Sequence, residues 1–292
     1  MIQPAAPDLG RVICMEPAPK LTLNNGALLD QVGYGTYKVP APDAASLVGA
    51  ALDAGYRHVD TAALYGNEAG VGEAVKTFLE DGSLTRDEIF LTTKVWNTDQ
   101  GYDRTLRAFD ASLERLGLET LDLYLIHWPC PQRGLFVETY RALEELYRSG
   151  RVRSIGVSNF QPDHLRQLMD AAEVVPAVNQ IELHPWLAQE ELRQLHAELG
   201  IRTVAWSPLG RGAVLADPVV RDIAAELGVS PARVILRWHV EQGNVVIPKA
   251  STPARIAENL DLFSFGLSAS QQAAMATLDR NQRSGSHPDT VN

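Results

Sequence analysis

A closed barrel of eight strand–helix units is the fold this sequence predicts, and three observations lead to it. Short apolar segments of strand length alternate with amphipathic helical stretches from about residue 30 onward, and such alternation implies a parallel sheet covered by helices. Eight of these units can be counted, which is the number that closes a (β/α)8 TIM barrel. The competing doubly wound sheet would carry a complete G-x-G-x-x-G after an early strand. Gly33/Gly35, Gly70/Gly72 and Gly210/Gly212 each lack the third glycine.

The first 19 residues, "MIQPAAPDLGRVICMEPAP", are rich in proline and are expected to form a mobile tail, leaving residues 20–292 as one domain. "LTLNNGALL" then sets Asn25-Gly26 between short apolar segments, a β-hairpin signal, and this hairpin is expected to close the bottom of the barrel. The eight barrel strands are "QVGYGT", "RHVD", "IFLTTK", "LDLYLIH", "VRSIGVS", "AVNQIE", "RTVAWS" and "VVIP". Helices between them are expected to begin near Ala44, Glu68, Asp103, Phe136, Asp163, Gln189 and Asp217. After the eighth strand, "STPARIAENL" opens a helix with Ser251 as N-cap and Pro253 just inside it. His164 and His196 fall on helices and are expected at the surface, and Cys130 is expected to pack or to line the mouth.

The 292 residues are 45% apolar, enough for a sizeable core. A formal charge of −10 argues against nucleic acid or an anionic membrane surface as the main partner. No apolar run approaches the roughly 18 residues of a membrane-spanning helix, and the N-terminus has no basic region followed by an apolar stretch. Cys14 and Cys130 sit at no metal or redox spacing, so the expectation is a reduced, cytoplasmic setting, a monomer and no bound metal.

Function in such a barrel sits at the C-terminal ends of the strands. Asp60 ends strand two, Lys94 strand three and His127 strand four. Ser158-Asn159 end strand five, Gln180 strand six, Trp206-Ser207 strand seven and Lys249 strand eight, while Tyr65 follows Asp60 on the same loop. Trp96, Trp128 and Trp206 fall at this end too, and aromatic walls around a few polar groups suit a small-molecule site. Singly, a strand-end Asp or Lys reads equally well as a structural ion pair, and Trp128 as core. Together they form a carbonyl-reducing set. A phenol, with a reference pKa near 10, resists giving up its proton at neutral pH. An ammonium about 4 Å away would favour the phenolate by roughly 4 kcal/mol, about three pKa units before desolvation. Lys94 then needs Asp60 to keep its charge in a buried place. His127 can hydrogen-bond and orient the carbonyl oxygen, and Tyr65 becomes the general acid.

With "GYGTYKV", "AGYRHVDTAALYGNE", "LTTKVWN", "LDLYLIHWP", "RVRSIGVSNF", "VNQIELHP", "AWSPLGRG" and "VIPKASTPARIAEN", the chain resembles the aldo-keto reductases from about residue 20 to its end. "KVWNTDQGY" and "SPLGRG" look most like the bacterial subgroup that includes 2,5-diketo-D-gluconate reductases. The resemblance implies a catalytic tetrad at Asp60, Tyr65, Lys94 and His127, and NADPH bound across the mouth. Ser158, Asn159 and Gln180 would hold the nicotinamide carboxamide, and Trp206 would stack on the ring, with Thr36 and Tyr37 nearby. Ser207, Leu209 and Gly210 would line the pyrophosphate. Lys249, Ser251, Thr252 and Arg255 would take the 2′-phosphate, and Glu258 and Asn259 would lie near the adenine. Tyr37, Trp96, His127 and Trp128 would face the substrate. A helix N-terminus with cations suits an anion, although "PKASTPAR" without the family reads only as a capped helix start. Two departures stand out: Ala250 replaces the serine of many relatives, which removes a hydroxyl from the 2′-phosphate site, and Tyr37 stands where some branches carry Trp. The polar C-terminal "RNQRSGSHPDTVN" is placed, by the same resemblance, over the substrate.

Two other functions compete. His58-Val59-Asp60, with His127 and His184, could belong to a metal-dependent hydrolase, although no H-x-H occurs. A barrel that binds NADPH as a sensor with little turnover is the second, and intact Tyr65 and Lys94 argue against it.

Overall fold

The computed structural model describes residues 18–292. Of the expected N-terminal tail, residues 1–17, including Cys14, lie outside the described residues, and the carbonyl of Pro19 accepts from the Gln31 N–H. Strands β1 (Lys20–Thr22) and β2 (Leu28–Asp30) form the expected antiparallel hairpin. Its apolar side chains Leu23 and Leu29 pack with Leu123, Leu125, Val178, Val204 and Val245 inside the barrel. Asn25 at the tip donates to the Arg153 carbonyl at 2.8 Å and to Ser154 Oγ at 3.0 Å. The hairpin thus floors the barrel at the N-terminal ends of its strands and leaves the opposite end open.

The barrel strands are β3 (Gly33–Gly35), β4 (His58–Asp60), β5 (Phe90–Val95), β6 (Leu121–Ile126), β7 (Val152–Ser158), β8 (Val178–Glu182), β9 (Arg202–Trp206) and β10 (Val245–Val246). Each pairs in parallel with the next, and a bridge between Val32 and Val246 closes the ring. These are the eight segments expected, although the first and last are shorter than the apolar runs that marked them. The fold is a (β/α)8 barrel.

Helices α1 (Ala41–Asp53), α2 (Glu68–Glu80), α3 (Tyr102–Leu116), α4 (Phe136–Arg148), α5 (Pro162–Met169), α6 (Glu190–Leu199), α7 (Pro218–Leu227), α8 (Pro231–Glu241), α9 (Pro253–Leu260) and α10 (Ala269–Ala276) surround the ring. In α3, Thr105, Phe109, Ser112, Leu113 and Leu116 form the buried stripe, a spacing of about one helical turn that one face of a helix requires. Helix α1 starts three residues ahead of Ala44, because Pro42 is tolerated in its first turn, where no N–H bond is lost. Thr252, not Ser251, caps α9 and accepts from the Arg255 N–H. Helices α8 and α10 were not separately anticipated. Their signals are Ser230 before Pro231 and the Ser268/Gln271 capping box.

His164 and His196 are buried, contrary to expectation. His196 lies on the inward face of α6 beside Leu192, with its ring nitrogens 2.9 Å from Asn179 Nδ2 and 2.8 Å from Thr203 Oγ1. A polar partner waiting on the strands lets a helix bury a histidine where its amphipathic pattern suggests solvent.

Candidate active site

Strand β4 delivers Asp60 to the open mouth, and the chain turns there through a 3-10 turn, Ala63–Tyr65, that ends on Gly66 at φ 66°. That left-handed conformation suits glycine and releases the chain into α2. Asn67 pins the loop by donating to the carbonyls of Thr36 at 3.0 Å and Val39 at 3.1 Å, while Thr61 Oγ1 donates to Asn67 Oδ1 at 2.9 Å. Tyr65 is therefore held by backbone anchors on both sides. Strand β5 brings Lys94 to the same level.

Lys94, fully buried, reaches Asp60 Oδ1 at 2.6 Å, the Thr61 carbonyl at 2.9 Å and the Tyr65 hydroxyl at 3.5 Å. Gln180 Nε2 takes the second Asp60 oxygen at 2.7 Å. Burial lowers the Lys94 pKa, and Asp60 opposes the shift. Burial holds the Tyr65 phenol well above its ordinary pKa, with Asp60 and Tyr37 adding to the effect. This departs from the expected lowering by Lys94: the ammonium is committed to Asp60 and Thr61 at shorter range. The resting phenol is consequently a neutral O–H, the form a proton donor needs. His127 is neutral as well, because burial and then the Lys94 charge push its pKa well below the usual value. Its Nδ1 is buried without a partner.

These four side chains stand together. Asp60, Tyr65 and His127 line a cavity of about 260 Å³ together with Tyr37, Trp96, Trp128, Ser158, Asn159, Gln180, Trp206, Ser207 and Lys249. The rings of Tyr65 and His127 are 5.7 Å apart, those of Trp96 and His127 5.1 Å, and those of Tyr37 and Tyr65 5.1 Å. On the β7–β9 side, Ser158 Oγ donates to the Gln180 carbonyl at 2.8 Å. Asn159 Nδ2 donates to the His127 carbonyl at 2.9 Å, and Trp206 Nε1 to Asn159 Oδ1 at 2.8 Å. These residues form one fixed wall.

The remaining sequence candidates separate into two groups. Thr36, Leu209 and Gly210 do not line the cavity, and Thr36 is spent on the Asp60 carbonyl at 3.0 Å. Ser251, Thr252 and Arg255 continue from Lys249 onto the start of α9, and Glu258 and Asn259 lie in its last turn. Lys249 Nζ donates to Ser251 Oγ at 2.5 Å, and among the described residues neither Lys249 nor Arg255 is paired with a carboxylate. Two unneutralised cations beside a capped helix start, on a chain of net charge −10, fit a phosphate monoester. Ala250 has its methyl in the core and its carbonyl bonded to the Tyr34 hydroxyl at 2.8 Å, so a serine there would enter packed surroundings.

Sequence reasoning missed Gly35, Leu64, Pro208, Arg211, Ile247 and Ser286 as lining residues. All of them lay in segments already singled out: Gly35 in "GYGTYKV", Leu64 beside Tyr65, Pro208 and Arg211 in "SPLGRG", Ile247 in "VIPKASTPARIAEN" and Ser286 in the C-terminal "RNQRSGSHPDTVN". His58 turns away from any metal role: it is buried with Nε2 3.3 Å from Thr92 Oγ1, while Asp60 is fully engaged by Lys94 and Gln180. Cys130 is buried and does not line the cavity.

The sequence profile of the Aldo/keto reductase family matches residues 30–280. An aldo-keto reductase of Mycolicibacterium smegmatis is 54% identical over 275 residues, spanning 94% of this chain and 98% of that one. The glyoxal reductase of Bacillus subtilis is 47% identical over 270 residues, spanning 92% and 96%. A crystal structure of a Gox0644 mutant in complex with NADPH superposes with a TM-score of 0.90 at 47% identity, over 95% of this chain and 100% of that one. The chain belongs to the aldo/keto reductase family.

Proposed function

We propose that the protein is an NADPH-dependent reductase of aldehydes and ketones in which Tyr65 is the proton donor. One observation carries this reading. A neutral phenol, a neutral imidazole and a buried ammonium–carboxylate pair converge on one small cavity walled by aromatic rings. Bound NADPH, the ligand of the Gox0644 mutant structure, supplies a hydride to the carbonyl carbon and is left as NADP+. As the carbonyl oxygen gains charge, Tyr65 passes its phenolic proton to it, and the alcohol is complete. Lys94 then stabilises the phenolate until a proton from solvent restores it. His127 donates a hydrogen bond that orients the carbonyl, and Trp96, Trp128 and Tyr37 exclude water from it.

In this reading Ser158 and Asn159 hold the nicotinamide carboxamide, Trp206 stacks on the ring, and Lys249, Ser251, Thr252 and Arg255 take the 2′-phosphate. Gln180 keeps its side-chain oxygen for the carboxamide, since its side-chain N–H is bonded to Asp60. A reducing compartment suits the free Cys130. The "KVWNTDQGY" and "SPLGRG" segments support the 2,5-diketo-D-gluconate reductase subgroup. The glyoxal reductase relative points equally to small dicarbonyls, which a cavity of about 260 Å³ accommodates.

Following NADPH absorbance over a panel of aldehydes, diketones and keto acids tests the reading. Consumption matched by alcohol formation is expected, and none with any carbonyl would refute it. Arg255→Ala should weaken NADPH by about tenfold to a hundredfold through loss of charge-assisted bonds, and NADH by less than about twofold. Equal losses for the two cofactors would remove Arg255 from the phosphate site.

A further inference from the structure

A second buried carboxylate stands at the same mouth, and the reaction has no use for it. Glu182, the last residue of β8, is 1% exposed. Among the described residues, no Lys or Arg forms an ion pair with it, and only His184 lies within that range. Its charge is met instead by the C-terminal segment. Ser284 donates to Oε1 through its backbone N–H at 2.6 Å and its hydroxyl at 2.5 Å, and the Gly285 N–H spans both oxygens at 3.2 and 3.1 Å. His184 Nε2 donates at 3.1 Å. Burial raises the carboxyl pKa, but these donors outweigh it and bring the group to about 2.

The residues so fixed reach the site. A Cβ on Gly285 would lie 2.6 Å from Trp206 Cη2, 3.1 Å from Glu182 Oε2 and 3.3 Å from Arg211 Nη2. Only glycine permits this approach of the backbone to the tryptophan edge. Ser286, the next residue, lines the cavity with Tyr65 and His127. Elsewhere the segment is tied by single contacts, such as the Gln282 N–H to the Trp186 carbonyl at 2.9 Å and Arg283 to Gln189 at 3.2 Å.

We propose that Glu182 is a specificity-determining positioning residue: its carboxylate anchors Ser284-Gly285 and so holds Ser286 in the cavity as the outer wall against which the carbonyl substrate binds. This rests on the reductase reading above and adds an anchor to it. Glu182 touches neither the Asp60–Lys94 pair nor Tyr65 in the bonds described, so it acts on substrate affinity and not on proton or hydride transfer.

The test compares wild type, Glu182→Gln, Gly285→Ala and the double variant, each saturated with NADPH. KM and kcat are measured for one aldehyde, and hydrogen exchange is followed at the Ser284 and Gly285 amides. Glu182→Gln should raise KM roughly tenfold or more, as loss of hydrogen bonds to a charged group implies, with kcat changed less than about twofold. Both amides should exchange faster. Gly285→Ala should raise KM too, and the double variant should be no worse than the larger single effect, because both break one contact. Unchanged KM in Glu182→Gln, a fall confined to kcat, or multiplying effects in the double variant would overturn the proposal. Should Glu182→Gln fail to fold, Ser284→Ala weakens the same contact from the exposed segment, and an unchanged KM there is equally fatal. The exchange arm separates the two readings. A wild type inert toward every carbonyl defeats the reductase assignment, whereas amides that stay protected in Glu182→Gln defeat the anchor.

Discussion

Asp60 and Glu182 are two buried carboxylates at the same rim, one at the end of β4 and one at the end of β8, and they are neutralised in opposite ways. Asp60 faces a buried ammonium at 2.6 Å and an amide at 2.7 Å. Glu182 faces neutral N–H and O–H donors, most of them from a segment about a hundred residues further along the chain. A buried ion pair fixes a charge where chemistry needs one, and removing either partner strands the other. A carboxylate held by backbone and hydroxyl donors fixes a piece of chain without a cation bonded to it. The difference assigns the two groups different tasks, one to the reacting proton and one to the shape of the pocket.

The largest expected effect breaks the first arrangement. Lys94→Met leaves Asp60 buried without a cation, which should lower stability by about 3–5 kcal/mol. It should also cut turnover by about a hundredfold or more, through loss of the ammonium that lies 3.5 Å from the Tyr65 hydroxyl. Chemical denaturation and single-turnover kinetics read the two losses separately. Asp60→Asn keeps the ammonium beside the phenol and should cost only about tenfold to a hundredfold in turnover. A more damaging aspartate change in a folded protein would give Asp60 a direct role.

The smallest expected difference, that between wild type and Glu182→Gln in pH dependence, sharpens the second arrangement. Burial keeps His58 neutral to about pH 4, and His196 and His239 to about pH 3, whereas the unfolded chain protonates each near 6.5. Stability should therefore fall as pH drops below 6.5, by up to about 1.4 kcal/mol per pH unit for each histidine. Glu182, whose folded pKa is depressed to about 2 from an ordinary 4.5, contributes stability above 4.5 and loses it only as pH falls toward 2. Urea midpoints between pH 7 and 5 should show the same slope in wild type and Glu182→Gln. A shallower slope in the variant would mean that the carboxylate titrates in that range.

Which parts of this were legible follows from how far each contact reaches along the chain. Asp60, Tyr65, Lys94 and His127 were legible because strand ends in a barrel share one mouth, and because Asp60 and Tyr65 sit on one loop. The aromatic walls followed from the same rule. What escaped depends on tertiary partners. Thr252 outranks Ser251 as cap only through its own backbone geometry. The Gln180 amide is bonded to Asp60 because two strand ends meet across the barrel. His196 is buried because Asn179 and Thr203 await it. Glu182 meets Ser284 across a separation of 102 residues, with no periodicity to announce it.

Single-turnover reduction in Tyr65→Phe, with NADPH bound beforehand, tests the central claim most directly. Removing one hydroxyl leaves the ring, the Asp60–Lys94 pair and the cofactor wall in place. Loss of a general acid costs about 100-fold to 10,000-fold, so hydride transfer to an aldehyde should slow by at least a hundredfold while NADPH affinity stays within about twofold. A variant that keeps more than about a tenth of the wild-type rate, with chemistry shown to limit that rate, would contradict the assignment of Tyr65 as proton donor.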